Sequence, residues 1–139
     1  MSVLKKNQSE HRFTTLDLIL DMYDHTSTLI ANEKVFDRTY KELIDRIDNE
    51  AAMTYHCCRV ANFEYDNRIK EEAETRLALQ KEAIDHCLWL KTDIFLAQRK
   101  FHLRAKKVTY WSGLVDAALK SIKAWHSTEA KEYKKNFGL

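Results

Sequence analysis

Val108-Thr109-Tyr110-Trp111-Ser112-Gly113-Leu114-Val115-Asp116-Ala117-Ala118-Leu119-Lys120-Ser121-Ile122-Lys123-Ala124-Trp125 sets Val108, Trp111, Val115, Ala118, Ile122 and Trp125 at alternating steps of three and four. Such steps keep side chains on one face of a helix. The pattern lasts about three heptads, too short for a free coiled coil but right for the buried face of a bundle helix. We label this predicted segment helix 4 and place its end near residue 127.

Upstream, Leu77, Gln80, Ile84, Cys87, Ile94 and Phe101 make one stripe, widened by Leu79, Ala83, Leu90 and Ala97. They predict helix 3 over about 69–101, with Trp89 and Phe95 off the stripe. Asp66-Asn67 is the break before it. Tyr40, Leu43, Ile44, Ile47, Ala51, Tyr55, Cys58 and Ala61 predict helix 2 over about 38–65, with Asp37 as its cap. Asn32-Glu33-Lys34 is the preceding connection. Helix 1 is expected from Thr14 or Thr15 to about Ala31, on Leu16, Ile19, Leu20, Tyr23, Leu29 and Ile30. Its polar middle, Asp24-His25-Thr26-Ser27-Thr28, interrupts that pattern.

Composition agrees. The 139 residues contain no Pro and only two Gly, Gly113 and Gly138. Sheets need frequent tight turns, and tight turns need those residues. The expected class is therefore all-α, as an antiparallel up-down four-helix bundle. Residues 1–13, with Lys5, Lys6 and Arg12, are expected as a flexible basic arm. Residues 14–127 form the bundle, and residues 128–139 a lysine-rich tail that frays from about 131. Residues 1–10 lack the apolar core and cleavage site of a secretory signal. No apolar run approaches a membrane span. Three cysteines, two of them adjacent, do not suit a disulfide framework, so reduced thiols in a cytoplasmic protein are expected.

Charge is uneven. Residues 1–95 carry 13 Lys/Arg against 18 Asp/Glu, a balance of −5; residues 96–139 carry 10 against 3, a balance of +7. Between Arg99 and Lys107 lie five cations, Arg99, Lys100, Arg104, Lys106 and Lys107, and no acid. Arg99 and Lys100 suit the C-terminal end of helix 3, where the dipole is negative. Arg104, Lys106 and Lys107 open helix 4, where the dipole disfavours cations. Locally costly charge points to an external polyanion. With Lys120 and Lys123 these residues are the predicted nucleic-acid contacts, and binding should be salt-dependent rather than sequence-specific. Trp111 is expected in the core and not as a stacking platform. Trp89, aromatic and off the stripe, is the expected oligomer contact.

The His/Cys groups are His56-Cys57-Cys58 on helix 2 and His86-Cys87 on helix 3. Neighbours on a helix point about 100° apart, so only part of each group can face inward. Neither zinc-knuckle spacing nor a Glu-x-x-His pair is present, and Glu82 and His86 are four apart. Packing is therefore preferred over a metal site using His56, Cys57, His86 or Cys87. No catalytic group and no cofactor is expected. Asn62 and Gln80, at or beside core-facing positions, are expected to make register-fixing hydrogen bonds.

A set of residues is shared, in order and spacing, with a known family: Asn32-Glu33-Lys34-Val35-Phe36, Tyr40, Ala61-Asn62, Arg76, Gln80, Ala83-Ile84, Cys87, Phe101-His102-Leu103, Trp111 and Ile122-Lys123-Ala124-Trp125. Over about residues 15–130 the chain resembles the four-helix accessory variability determinants of diversity-generating retroelements, relatives of proteins encoded in 23S rRNA intervening sequences. The resemblance implies an antiparallel four-helix bundle assembled as a homopentamer. It implies reverse transcriptase and template RNA or cDNA as partners, and support of mutagenic reverse transcription without a catalytic centre. Familiar members are basic throughout, so the polarised charge here implies one basic face for nucleic acid and another surface for the polymerase. The competing expectation is a helical protein–protein adaptor whose basic end meets an acidic partner.

Overall fold

A computed structural model describes the backbone of residues 3–138 and the side chains of residues 14–138. The chain is all-helical: α1 (Val3–Ile30), a 3-10 turn (Arg38–Tyr40), α2 (Lys41–Glu64), α3 (Lys70–Phe101) and α4 (Ala105–Phe137). No strand occurs among the described residues. Packing is cyclic, with α1 against α2 and α4, and α3 against the same two helices. Among the described residues, no helix is long and apolar enough to cross a membrane.

The opening seam holds: Val108, Trp111, Val115, Ala118, Ile122 and Trp125 are all buried. The helix does not stop where the apolar pattern stops. α4 continues through the stretch expected as a tail, because Glu129 takes the next seam position after Trp125 and is itself buried. α1 likewise begins at Val3, inside the stretch expected as an arm, whose side chains lie outside the described residues.

The polar middle of α1 does not break it. Thr26 is fully buried; its hydroxyl donates to the Met22 carbonyl at 2.8 Å and accepts from Trp111 Nε1 at 2.9 Å. The α1 face is Thr15, Ile19, Met22, Thr26 and Ile30, whereas Leu20 is exposed. On α2 the buried seam runs through Leu43, Ile47, Glu50, Thr54, Cys57 and Ala61, so Tyr55 sits at its edge.

The connections are short and locally determined. Asp37 accepts from Thr39 N and Oγ1, capping the 3-10 turn that leads into α2. Arg38 donates to the Ile30 carbonyl at 2.9 Å, satisfying an orphan acceptor at the end of α1. At the α2–α3 break, Arg68 hydrogen-bonds the Asp66 carboxyl and holds it down at about 2. His102 adopts a left-handed conformation (φ 54) and Leu103 N reaches back to the Gln98 carbonyl at 3.0 Å, ending α3. The connection is only His102–Arg104, since α4 starts at Ala105.

Two buried polar groups tie the helices. Arg76 and Glu129 pair between α3 and α4, and Gln80 Nε2 donates to Glu129 at 3.0 Å. Gln80 thus makes the interhelical bond expected of it. Asn62 Oδ1 is buried with no hydrogen-bond partner among the described residues. The second group is Arg46, Glu50 and Asp93. Arg46 donates to both Asp93 oxygens, at 2.8 and 2.9 Å. Burial, then a hydrogen bond to Asp93, pushes the Glu50 carboxyl up to about 8. Burial raises the Asp93 carboxyl too, but the hydrogen bonds from Arg46 and Glu50 outweigh it and leave Asp93 lowered.

A pH dependence follows. Folded Glu50 keeps a proton that the unfolded chain releases near 4.5. Its contribution is therefore full below that value and is lost as pH rises through about 8. Urea unfolding midpoints should be lower at about pH 9 than at about pH 6, and Glu50→Gln, which keeps a donor for Asp93, should flatten the difference. Equal pH slopes in the two proteins would show that Glu50 does not titrate this way.

Candidate nucleic-acid interface

The cations expected to bind nucleic acid fall into two groups. Arg99 and Lys100 end α3, and three residues later Arg104, Lys106 and Lys107 open α4. The tight turn gathers these five at one corner. Lys120 and Lys123 lie about 20–24 Å further along α4 from Lys107. Asp116 sits one turn before Lys120 and pairs with Lys91 at 2.9 Å, so acid interrupts the track between the groups.

All seven cations are exposed. None pairs with a carboxylate among the described residues. The start of α4 has no acid in its first turn and no side-chain cap, with Arg104 at the N-cap. Free N–H groups and cations therefore coincide, an arrangement that favours an anion. At the other end of the turn, Lys100 Nζ lies 5.7 Å from the Tyr40 ring centroid. Tyr40, Arg46, Leu96 and Lys100 line a groove beside the corner.

The corner is held from below by aromatic packing. Phe36, fully buried in the α1–α2 connection, lies 4.7 Å from Phe101 and 6.0 Å from Trp111, centroid to centroid. Trp111 is fully buried, so it is core, as expected. Tyr110 is 61% exposed and meets His25 edge-on at 5.0 Å, offering a free ring face. Burial, and then the nearby Lys107, lowers the pKa of His25, so the imidazole adds hydrogen-bonding capacity and not charge. Sequence reasoning missed this tyrosine–histidine contact, because His25 lies in the polar middle of α1.

Trp89, the expected oligomer contact, is 53% exposed. With Leu88, Phe95 and Leu96 it makes an apolar strip on α3. Helical spacing puts these four residues opposite the buried face.

The His/Cys groups are sorted by the packing of α2 on α3. Cys57 and His86 come together with Glu82, their candidate ligand atoms all within 4.8 Å of one another. His56 is exposed and outside this group. Cys87 hydrogen-bonds Thr54 at 3.8 Å instead. Comparison with known protein families, with curated proteins and with solved structures finds no match to this chain.

Proposed function

We propose that the protein is a non-enzymatic accessory factor of a diversity-generating retroelement, binding template RNA or cDNA through the α3–α4 corner and supporting mutagenic reverse transcription. The observation that carries this is the unpaired cationic cluster Arg99, Lys100, Arg104, Lys106 and Lys107 around an uncapped helix start. Among the described residues no carboxylate pairs with that charge, whereas a phosphate backbone would. The family resemblance supplies the reverse transcriptase as the protein partner. Lys120 and Lys123 extend the contact only if the strand passes Asp116. The setting is the cytoplasm.

The arrangement that serves this function is an antiparallel up-down bundle. Thr15–Ser121 with Thr26–Trp111 supports opposite directions for α1 and α4, Arg76–Glu129 with Lys91–Asp116 for α3 and α4, and Arg46–Asp93 with Thr54–Cys87 for α2 and α3.

Replacing Arg104, Lys106 and Lys107 together with Gln should weaken RNA binding and reduce the slope of log K against log salt by about 2–3. Fluorescence anisotropy over a salt series measures this. An unchanged slope would remove the corner as the interface.

The strip Leu88, Trp89, Phe95 and Leu96 favours a second reading, a helical adaptor without a nucleic-acid role. Complete failure to shift any RNA or DNA at moderate salt would select it. In the first reading the strip joins copies of the chain, a pentamer by resemblance. Trp89→Ala should then lower the mass in solution while shifting stability by less than about 1 kcal/mol, since the ring is half-exposed. A light-scattering mass unaltered by this change would place the subunit contact elsewhere.

A further inference from the structure

We propose that Cys57, Glu82 and His86 form a three-ligand site for a zinc-like divalent cation, bridging α2 and α3. Two ligands, Glu82 and His86, come from adjacent turns of α3, where a spacing of four stacks side chains on one face. The third, Cys57, comes from the α2 seam facing them. All candidate ligand atoms lie within 4.8 Å of one another. Metal–ligand bonds of about 2.0–2.3 Å with tetrahedral angles want separations of roughly 3.4–3.6 Å. Rotation of the Cys57 and Glu82 side chains would have to close that gap, since Trp89 packs edge-on against the His86 ring.

Among the described residues, the three side chains show no hydrogen bond or ion pair outside the cluster. His86 Nε2 stands 3.9 Å from Glu82 Oε1, too far for a hydrogen bond. His86 Nδ1 is hidden from water and has no hydrogen-bond partner among the described residues. A buried polar nitrogen without a partner costs stability, and a cation bound at Nδ1 itself would supply one. The neighbouring cation on α3, Lys81, is engaged with Asp85 at 2.7 Å. Trp89 packs edge-on against His86 at 5.1 Å and limits its rotation.

The donor set selects the ion. One thiolate, one imidazole and one carboxylate suit zinc and not magnesium or calcium, which prefer oxygen alone. Two negative ligands would neutralise the dication. The Glu82 side chain is 52% exposed and gives an ion its path in from solvent. Burial, and then the Glu82 carboxylate, pushes the Cys57 thiol up to about 11, so it enters the site protonated. Binding forms the metal–sulfur bond and releases that proton to solvent.

Titration of the reduced full-length chain with cobalt(II) tests this. The expected result is saturation at a single equivalent, with a thiolate-to-cobalt charge-transfer band in the near ultraviolet. Zinc should displace the cobalt, and one proton should leave per ion. Cys57→Ser should abolish the band, and Cys87→Ser should leave it. Glu82→Gln, at a half-exposed position, should keep the fold and weaken binding roughly tenfold or more. A wild-type protein without the band overturns the proposal. So does a band that survives Cys57→Ser. If Cys57→Ser fails to fold, Glu82→Gln and His86→Gln decide: affinity unchanged by both rules the site out.

Discussion

Glu129→Ala is expected to cost about 3–5 kcal/mol of folding stability, more than any other single change near the end of α4. The carboxylate is 8% exposed and collects four donors. Arg76 Nε reaches it at 2.9 Å, a second Arg76 nitrogen completes the fork, Gln80 Nε2 lies at 3.0 Å and Trp125 Nε1 at 2.7 Å. Removal strands the Arg76 guanidinium, only 2% exposed, with the carbonyls of Ala61 and Tyr65 at 2.8 and 2.9 Å as its nearest remaining acceptors. A buried unpaired cation is the large cost; the pair itself, set against its desolvation, is worth much less. Glu129→Gln keeps shape and two acceptor lone pairs but no charge, and should fall between wild type and Ala. The double change Arg76→Met with Glu129→Leu should recover most of the loss, because it removes both charges and leaves apolar volume. Urea unfolding of the four proteins as a cycle measures this. A loss below about 1 kcal/mol for Glu129→Ala would mean that water reaches the arginine.

The same pair explains where the sequence reading stopped. Apolar spacing from Val108 to Trp125 made α4 legible, and the seam then continued through a glutamate. A hydrophobic pattern cannot register a charged residue whose partner lies on another helix. Thr26 on α1 and Thr54 on α2 hid their seams for the same reason: each is a polar residue satisfied in the core by a local or cross-helix contact, and Glu50 is a buried carboxyl set against Asp93 of α3. The basic corner was legible because charge at a helix start is a local property of the sequence. The Cys57–Glu82–His86 cluster was half legible. The helix assignments put Cys57 and His86 near one another, but choosing them over His56 and Cys87 required the register of α2 against α3.

Trp111→Ala should cost about 3–5 kcal/mol, the usual loss for emptying the site of a buried aromatic. The side chain is the largest fully buried group in the described chain, and its indole N–H is bonded to Thr26 at 2.9 Å. Two smaller changes separate packing from the hydrogen bond. Trp111→Phe keeps much of the volume and should lose less than Ala. Thr26→Val leaves the buried indole N–H without its acceptor and should cost about 1–3 kcal/mol. If Thr26→Val costs nothing once Phe replaces Trp111, the two residues act through that bond; equal costs in both backgrounds would assign Thr26 to its Met22 contact instead. A Trp111→Ala loss under about 1 kcal/mol would take the indole out of the core. The indole also fixes the corner, since Phe36 rests on it and on Phe101 beneath the basic turn. Trp111→Ala should therefore weaken RNA binding together with stability. The Arg104, Lys106 and Lys107 substitutions, all at exposed positions, should weaken binding alone. That contrast separates loss of the proposed phosphate contacts from loss of the framework that presents them.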